Sequence, residues 1–132
     1  MKKIPLVVYQ SAISVSSVVD RIEKMLNEHN ISIFARINHA KAAQNVGLEM
    51  QPEEVLIFGN PSVGTALMLE NAAIGIELPL KIVVWSDNQV TYIAYQDLHE
   101  IAHRYHIQQN LMTIQKLSDF LEHLIKSIIN IK

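Results

Sequence analysis

The sequence predicts an α+β fold, in which one mainly antiparallel sheet carries its helices on one face. Strand-like and helical patterns alternate in the first half of the chain, whereas two strands follow each other directly in the second half. A strongly amphipathic helical pattern then lies near the C-terminus. The 132 residues show no internal repeat and no linker, so we expect a single domain over 1–132.

The chain begins with a strand pattern and a helix pattern. Ile4–Tyr9 is a short apolar run, which is typical of a strand that packs under a helix. Valines and isoleucines at helical spacing then predict a first helix that ends near His29. Its N-cap candidates are Ser14, Ser16 and Ser17. Asp20 lies three residues after the last of these serines, as in a capping box.

Two further strands are predicted before the middle of the chain. Apolar and polar residues alternate over Ile31–Asn38, which indicates a strand with one buried face. The Ala-rich segment 39–45 is expected to form a helical turn, and Gly47 can adopt the left-handed conformation that ends it. The apolar run Val55–Phe58 predicts the next strand.

A helix and a hairpin follow. Asn60 is a good N-cap, the proline after it suits the first helical position, and the helix is expected to continue to Ala73. Leu80–Trp85 and Val90–Tyr95 read as two antiparallel strands, with Asp87-Asn88 as their turn.

Two helices are predicted after the hairpin. Asp97 caps a short helix that ends near His106, and Asn110 caps the last helix. The apolar stripe of the last helix consists of Leu111, Ile114, Leu117, Leu121, Leu124, Ile125 and Ile128.

Composition excludes several classes of protein. The chain is 49% hydrophobic and 18% charged, so it is not intrinsically disordered. Its net charge is −2 and it has no basic stripe, so we expect no nucleic-acid partner. The absence of cysteine excludes disulfides and thiol nucleophiles. No apolar run of about 18 residues and no convincing signal peptide are present, so we expect a cytoplasmic protein without a membrane partner.

Five short motifs, in the right order, resemble those of the domain of unknown function 302 family. They are Ala35–Ala40, Ile57–Pro61, Gly64–Met68, Leu78–Lys81 and Tyr95–Asp97. The resemblance implies a compact, self-associating domain similar to the TATA-binding protein, with a β-α-β(4)-α arrangement. It implies no established activity. Asn38 stands where the family usually has Asp, so His39 lacks a carboxylate neighbour there.

Four polar residues near strand ends are the candidate ligand-binding residues: His39, Asn60, Lys81 and Arg36. Strand ends in one sheet can lie close together, and an imidazole, an amide and a cation suit a carboxylate or a phosphate. The sequence therefore predicts a small anionic ligand. Each residue also has an ordinary structural explanation, as a turn histidine, a helix cap or a solvated charge on a strand.

His99 and His103 are candidate metal ligands, because His99–His103 has the H-E-x-x-H pattern of zinc peptidases, with Glu100 as the base. Against this interpretation, the apolar residues Leu98, Ile101 and Ala102 place the histidines on the solvent side of the helix. The third-ligand spacing of the longer peptidase motif is also missing.

The leading hypothesis is therefore a non-enzymatic, homodimeric module that binds a small ligand or anion and needs no cofactor. The alternative is a small zinc-dependent hydrolase that uses His99, Glu100 and His103. Dimer surface is expected from the aromatic hairpin and from the C-terminal apolar stripe. The hairpin aromatics Trp85, Tyr92 and Tyr95 are expected either in the core or at a dimer interface.

Overall fold

One layer of the structure is a five-stranded antiparallel sheet. The computed structural model describes residues 5–129, so Ile4, the first residue of the first predicted strand, lies outside the described residues. The strands are β1 (Leu6–Ser11), β2 (Ser32–Asn38), β3 (Glu53–Gly59), β4 (Leu80–Asp87) and β5 (Val90–Gln96). Their order across the sheet is β1-β5-β4-β3-β2, and every neighbouring pair is antiparallel.

Helices form the second layer. They are α1 (Val15–Glu28), α3 (Pro61–Glu70), α4 (Leu98–Arg104) and α5 (Leu111–Ile129), with a short 3-10 helix (Ala72–Glu77) after α3. The additional short helix α2 (His39–Asn45) buries no residue. The chain thus follows the predicted β-α-β(4)-α arrangement, with short helices inserted between the strands. Among residues 5–129, no helix combines the length and the apolar character needed to cross a bilayer.

A single cluster of buried apolar side chains joins the helices to one face of the sheet. The sheet contributes residues such as Leu56, Ile82 and Ile93 to this core, and each is at most 1% exposed. The helices cover them with residues such as Ile22 and Leu124, both fully buried. The predicted α+β class, with helices on one face, is therefore confirmed.

The core already uses most of the C-terminal stripe. Five of its seven residues are buried: Ile114, Leu121, Leu124, Ile125 and Ile128. Tyr95 is also buried in this cluster, at 5% exposure. Of the two positions expected for Tyr95, the core is therefore confirmed. The five buried residues of the stripe offer no surface to a second copy, because α5 and the core face of the sheet cover each other, whereas Leu111 is 50% exposed.

Local hydrogen bonds explain where the helix boundaries differ from prediction. Ser14 caps α1, because its Oγ accepts from the Ser17 N–H at 3.3 Å, so the predicted capping box of Ser17 and Asp20 does not form. Helix α3 ends at Glu70 and not at Ala73, because Asn71 adopts an extended conformation and caps the 3-10 helix instead.

The hairpin turn lies one residue later than predicted. Asn88 and Gln89 both have positive φ, 50° and 72°. This pair of left-handed residues matches the right-handed twist of the flanking strands, as in a type I′ turn. Asp87 belongs to β4 and pairs with Val90.

Shortening a buried leucine side chain on a helix should destabilise the fold far more than shortening an exposed leucine side chain on a helix. We expect Leu124→Ala to lower the free energy of unfolding by about 2–5 kcal/mol, because it opens a cavity under the sheet. Leu69→Ala is the matched control, since Leu69 is 83% exposed on α3, and should change it by less than about 0.5 kcal/mol. Urea unfolding of both variants measures the difference; equal losses would contradict the assignment of the core.

Candidate functional site

The antiparallel register sends the predicted ligand-binding residues to different ends of the sheet. Asn60 follows β3, and Lys81 lies at the start of β4, where Ile57 is its partner. These two residues therefore share one end. His39 follows β2, whose last residue pairs with Glu54 at the beginning of β3. At about 3.3 Å per residue, His39 and Asn60 lie roughly 20 Å apart along β3, so the prediction of one pocket that contains both is wrong.

Arg36 is bound by three carboxylates. Its Nε donates to Glu54 Oε1 at 2.7 Å, and its Nη1 donates to Asp20 Oδ1 at 2.6 Å and to Glu23 Oε2 at 2.9 Å. The hydrogen bond to Glu54 is the main cause that raises the pKa of Arg36 above its ordinary value. With its guanidinium charge already offset, Arg36 is a poor partner for a further anion.

His39 is the first residue of α2 and is exposed. Asn38 before it is the N-cap, and its Oδ1 accepts from the Lys41 N–H at 2.9 Å. Asn38, which stands where the family usually has Asp, is therefore a helix cap, and Asn and Asp are equally good at this position. Whether His39 binds a ligand stays a prediction.

The two candidate metal ligands lie on the solvent side of α4, as the apolar pattern predicts. His99 and His103 are exposed, whereas Leu98, Ile101 and Ala102 are buried. The Glu100 carboxylate accepts from Arg104 at 2.7 Å. The carboxylate is therefore paired with a cation on its own helix and not with the two histidines. Within residues 5–129 there is no group of three or more His, Asp or Glu residues placed to hold a metal ion.

An apolar cleft lies at the end of the sheet that carries Asn60. A cavity of about 300 Å³ opens between the end of β3, the start of β4, α3 and α5. Its buried lining includes Phe58, Leu67 and Leu80, and its exposed rim includes Phe34 and Asn60. An apolar cleft with a polar group at its mouth is the usual form of a small-molecule site.

A methionine between two glycines forms an adjustable wall of the cavity. A Cβ atom on Gly75 would lie 3.3 Å from the Met68 sulfur, and one on Gly64 would lie 3.9 Å from the Met68 Cε. All three residues line the cavity. Because methionine has three flexible bonds and a polarizable sulfur, this wall can adapt to the shape of a ligand.

The polar rim consists mainly of the start of α3. The Asn60 Oδ1 accepts from the Ser62 N–H at 2.9 Å, which uses the carbonyl side of the amide for capping. The NH₂ side of the amide is a hydrogen-bond donor at the rim. Lys81 lies just outside, and its Nζ donates to the Pro79 carbonyl at 3.4 Å. Pro79 itself lines the cavity.

Glu70 fixes the start of α5 against the end of α3, and thereby the wall that Leu117 contributes. Its carboxylate accepts from the backbone N–H groups of Gln108 at 2.6 Å, Gln109 at 2.9 Å and Asn110 at 3.2 Å. These hydrogen bonds lower the pKa of Glu70 below its ordinary value, and the bond from the Gln108 N–H has the largest effect. The predicted cap Asn110 instead donates its side-chain NH₂ to Glu70 at 2.8 Å.

Sequence reasoning found Asn60 but missed the cavity around it. Phe58, Leu67 and Leu80 look like ordinary core residues in the sequence. The only local signal is the set of small and rigid residues near them, Gly64, Gly75 and Pro79, which leave space without revealing its shape.

Comparisons with known proteins agree with the resemblance. The family described as "Domain of unknown function DUF302" matches residues 7–128. A solved structure, described as uncharacterized conserved protein DUF302 from Bacillus stearothermophilus, superposes with a TM-score of 0.73. That likeness covers 97% of this chain and 98% of the other, at 18% sequence identity, and it shows the fold alone.

Curated relatives match a shorter part of the chain. The fluoride-specific ion channel FluC 1 of Brucella suis biovar 1 is 35% identical over 82 residues, which is 62% of this chain. The fluoride-specific ion channel FluC 2 of Brucella melitensis biotype 1 matches to the same extent. The match spans only 32% and 30% of the lengths of these two relatives.

The Glu70 contacts predict a pH dependence of stability. Because the folded-state pKa lies below the unfolded one, the charged carboxylate stabilises the fold at neutral pH. That contribution is complete above the unfolded-state pKa and is lost as the pH falls through the folded-state pKa. We expect Glu70→Gln to be less stable than the native chain at pH 7, and the difference to shrink on acidification.

Urea unfolding at a series of pH values measures this difference. Glu28→Gln is the matched control, since it removes an exposed carboxylate at the end of α1 and should leave stability nearly unchanged. A Glu70→Gln deficit that stays constant from neutral to acidic pH would contradict the charge-assisted role of Glu70.

Proposed function

The chain belongs to the DUF302 family, and we propose that it is a non-enzymatic, homodimeric, cytoplasmic module that binds a small amphipathic molecule. The observation that carries the proposal is the cavity of about 300 Å³ at the end of β3. This volume lies at the lower end of the usual range for small-molecule sites, so the ligand is small.

The cavity lining favours an apolar ligand body. Phe58, Leu67 and Leu80 offer buried aromatic and aliphatic surface, and Met68 offers a deformable contact. Removing apolar ligand surface from water stabilises the complex by about 25 cal/mol per Å² before the costs of association. An aliphatic or aromatic group of a few carbons fits this environment.

The rim favours a single acceptor or an anion on the ligand. Asn60 presents a donor at the mouth, and the Lys81 ammonium lies just outside the lining, 3.4 Å from the carbonyl oxygen of the lining residue Pro79. An ammonium and an amide donor suit a carboxylate. We therefore assign the anion that the sequence predicts to the polar head group of an amphipathic ligand. Asn60 and Lys81 bind this head group, and His39 and Arg36 take no part.

The cavity favours binding over turnover. The Thr65 hydroxyl is the one nucleophilic group of the described lining, and no residue of that lining can act as the base that would activate it. The proposal therefore assigns the cavity no reaction, and it requires no cofactor.

Filling the cavity should abolish binding of a model ligand. We expect the native chain to bind octanoate, with methyl NMR shifts confined to residues such as Met68 and Leu80. Val63→Trp places a large ring in the lining and should weaken the affinity for octanoate at least about tenfold, because the ligand and the ring compete for the same volume. Leu69→Trp, on the exposed side of the same helix, is the matched control and should bind octanoate normally.

A second comparison tests the head group. Asn60→Asp keeps a capping oxygen but adds a negative charge at the rim, so octanoate should lose more affinity than 1-octanol does. Octanoate binding that survives Val63→Trp, in a variant with an unchanged circular dichroism spectrum, would overturn the proposed site.

A second candidate function is an accessory role in fluoride handling. It rests on the match of 35% identity to the fluoride-specific ion channels of Brucella, of which this chain covers about a third. In this hypothesis the chain corresponds to a part of those channels that binds the ion itself at the start of α3. The Asn60 NH₂ group is the donor, since the Ser62 and Gly64 N–H groups already donate to Asn60.

Fluoride titration followed by amide NMR tests this candidate. We expect sodium fluoride to shift the amide resonances of Ser62, Val63 and Gly64 in a saturable way, whereas sodium chloride at equal ionic strength should not. Identical responses to the two salts would exclude fluoride binding and leave the cavity proposal untouched.

A further inference from the structure

The face of the sheet opposite the helices carries an unbroken apolar row across all five strands. The register places Val8, Ala94, Val83, Val55 and Ile37 side by side, each paired with the next. The edge residues are open to water, with Val8 49% and Ile37 39% exposed. Ala94 is fully buried by its neighbours, so the apolar surface of the row comes from Val8, Ile37 and the partly exposed Val83 and Val55. Clustered apolar surface of this kind marks an interaction site on a protein.

The rows on either side of this apolar row differ from each other. On one side, β4 contributes Lys81 beside Ile57 of β3. On the other side, β4 contributes Trp85 between Tyr92 of β5 and Glu53 of β3. The Trp85 and Tyr92 rings are stacked, with centroids 5.4 Å apart and planes inclined by 16°. One flank is therefore cationic, and the other is aromatic and acidic.

We infer that a second copy of this chain docks on this face, sheet against sheet, about a two-fold axis that runs along the apolar row. The inference rests on the homodimer of the proposed function and assigns its interface. Such an axis reverses the strand direction of one copy and keeps each strand opposite its own equivalent. The apolar rows then meet each other, and the cationic flank of each copy meets the aromatic and acidic flank of the other.

Charge and shape are self-complementary in this arrangement. Lys81 and Trp85 lie two residues to either side of Val83 on β4, so the axis brings Lys81 of one copy opposite Trp85 of its partner. Glu53 is the strand neighbour of Trp85 and supplies the opposite charge for the same lysine. The ammonium gains a cation–π contact and an ion pair at two symmetric places.

The size of the face sets the strength of the dimer. Five strands about 4.8 Å apart and about 20 Å long give a flat area on the order of 500 Å² per copy. The extra surface of the side chains is not included in this area. Stable interfaces bury roughly 800 Å² per partner. The dimer is therefore expected at the weaker end of specific complexes, with dissociation on dilution.

Sedimentation equilibrium over a range of concentrations tests the assignment. We expect a concentration-dependent dimer for the native chain. Val83→Lys, at the centre of the row, should weaken dimerisation roughly thirtyfold or more, as for a central interface residue. Ile37→Lys, on the edge strand, is a second variant in case the first fails to fold. Leu69→Lys makes the same kind of change on α3, away from the face, and should leave the dimer intact.

A charge exchange tests the orientation. Lys81→Glu alone and Glu53→Lys alone should each weaken the dimer roughly tenfold, because like charges then face each other. The double variant Lys81→Glu with Glu53→Lys should recover the native dimer constant within about threefold. Failure of the double variant to recover would overturn the two-fold arrangement.

The remaining outcomes separate the interface from the homodimer itself. A native chain that stays monomeric up to several hundred micromolar would overturn the proposed homodimer and this inference together. A native dimer that folded Val83→Lys and Ile37→Lys variants leave unchanged would overturn the interface alone and place self-association elsewhere on the surface.

Discussion

The antiparallel pairing of β3 with both of its neighbours determines where each candidate group lies. β3 runs from Glu53 to Gly59, so β2 ends beside its beginning and β4 begins beside its end. This register gathers Asn60, Pro79 and Leu80 around one end of the strand, where α3 and α5 close the cavity. The same register sends His39 to the far end. A parallel β2–β3 pair would have brought His39 and Asn60 together, and the anion site expected from the sequence would have formed.

An ion-pair network holds this register under α1. Glu54 is only 6% exposed, and a carboxylate buried to that extent requires a partner. Arg36 of β2 supplies it across the strand pair, and the same guanidinium reaches Asp20 and Glu23 of α1. One side chain thus links two strands and a helix. Arg36, proposed from the sequence as a ligand-binding residue, is better explained by this structural role.

The sequence predicts local structure well and spatial neighbours poorly. The period of α5 identifies Leu121 and Leu124 as core residues, and the alternation around Val83 identifies a hairpin strand, because both signals lie within one element. The position of Glu70 under the N–H groups of residues 108–110 has no local signal, since its partners lie about forty residues away. The cavity has no local signal for the same reason, because it is formed by ordinary apolar residues from six elements that meet only in the folded chain.

The cavity and the apolar sheet face share two strands but no side chain. On β4, Leu80 lines the cavity and Lys81, the next residue, lies on the opposite face; on β3, Phe58 and Ile57 divide in the same way. Strand geometry enforces this division, since successive side chains point to opposite faces. A change at Val83 therefore alters the dimer surface while leaving the cavity lining intact, and a change at Val63 does the reverse. Ligand binding and self-association are accordingly separable at these two positions. Lys81 is proposed both beside the ligand head group and at the dimer interface, so this side chain can couple the two properties.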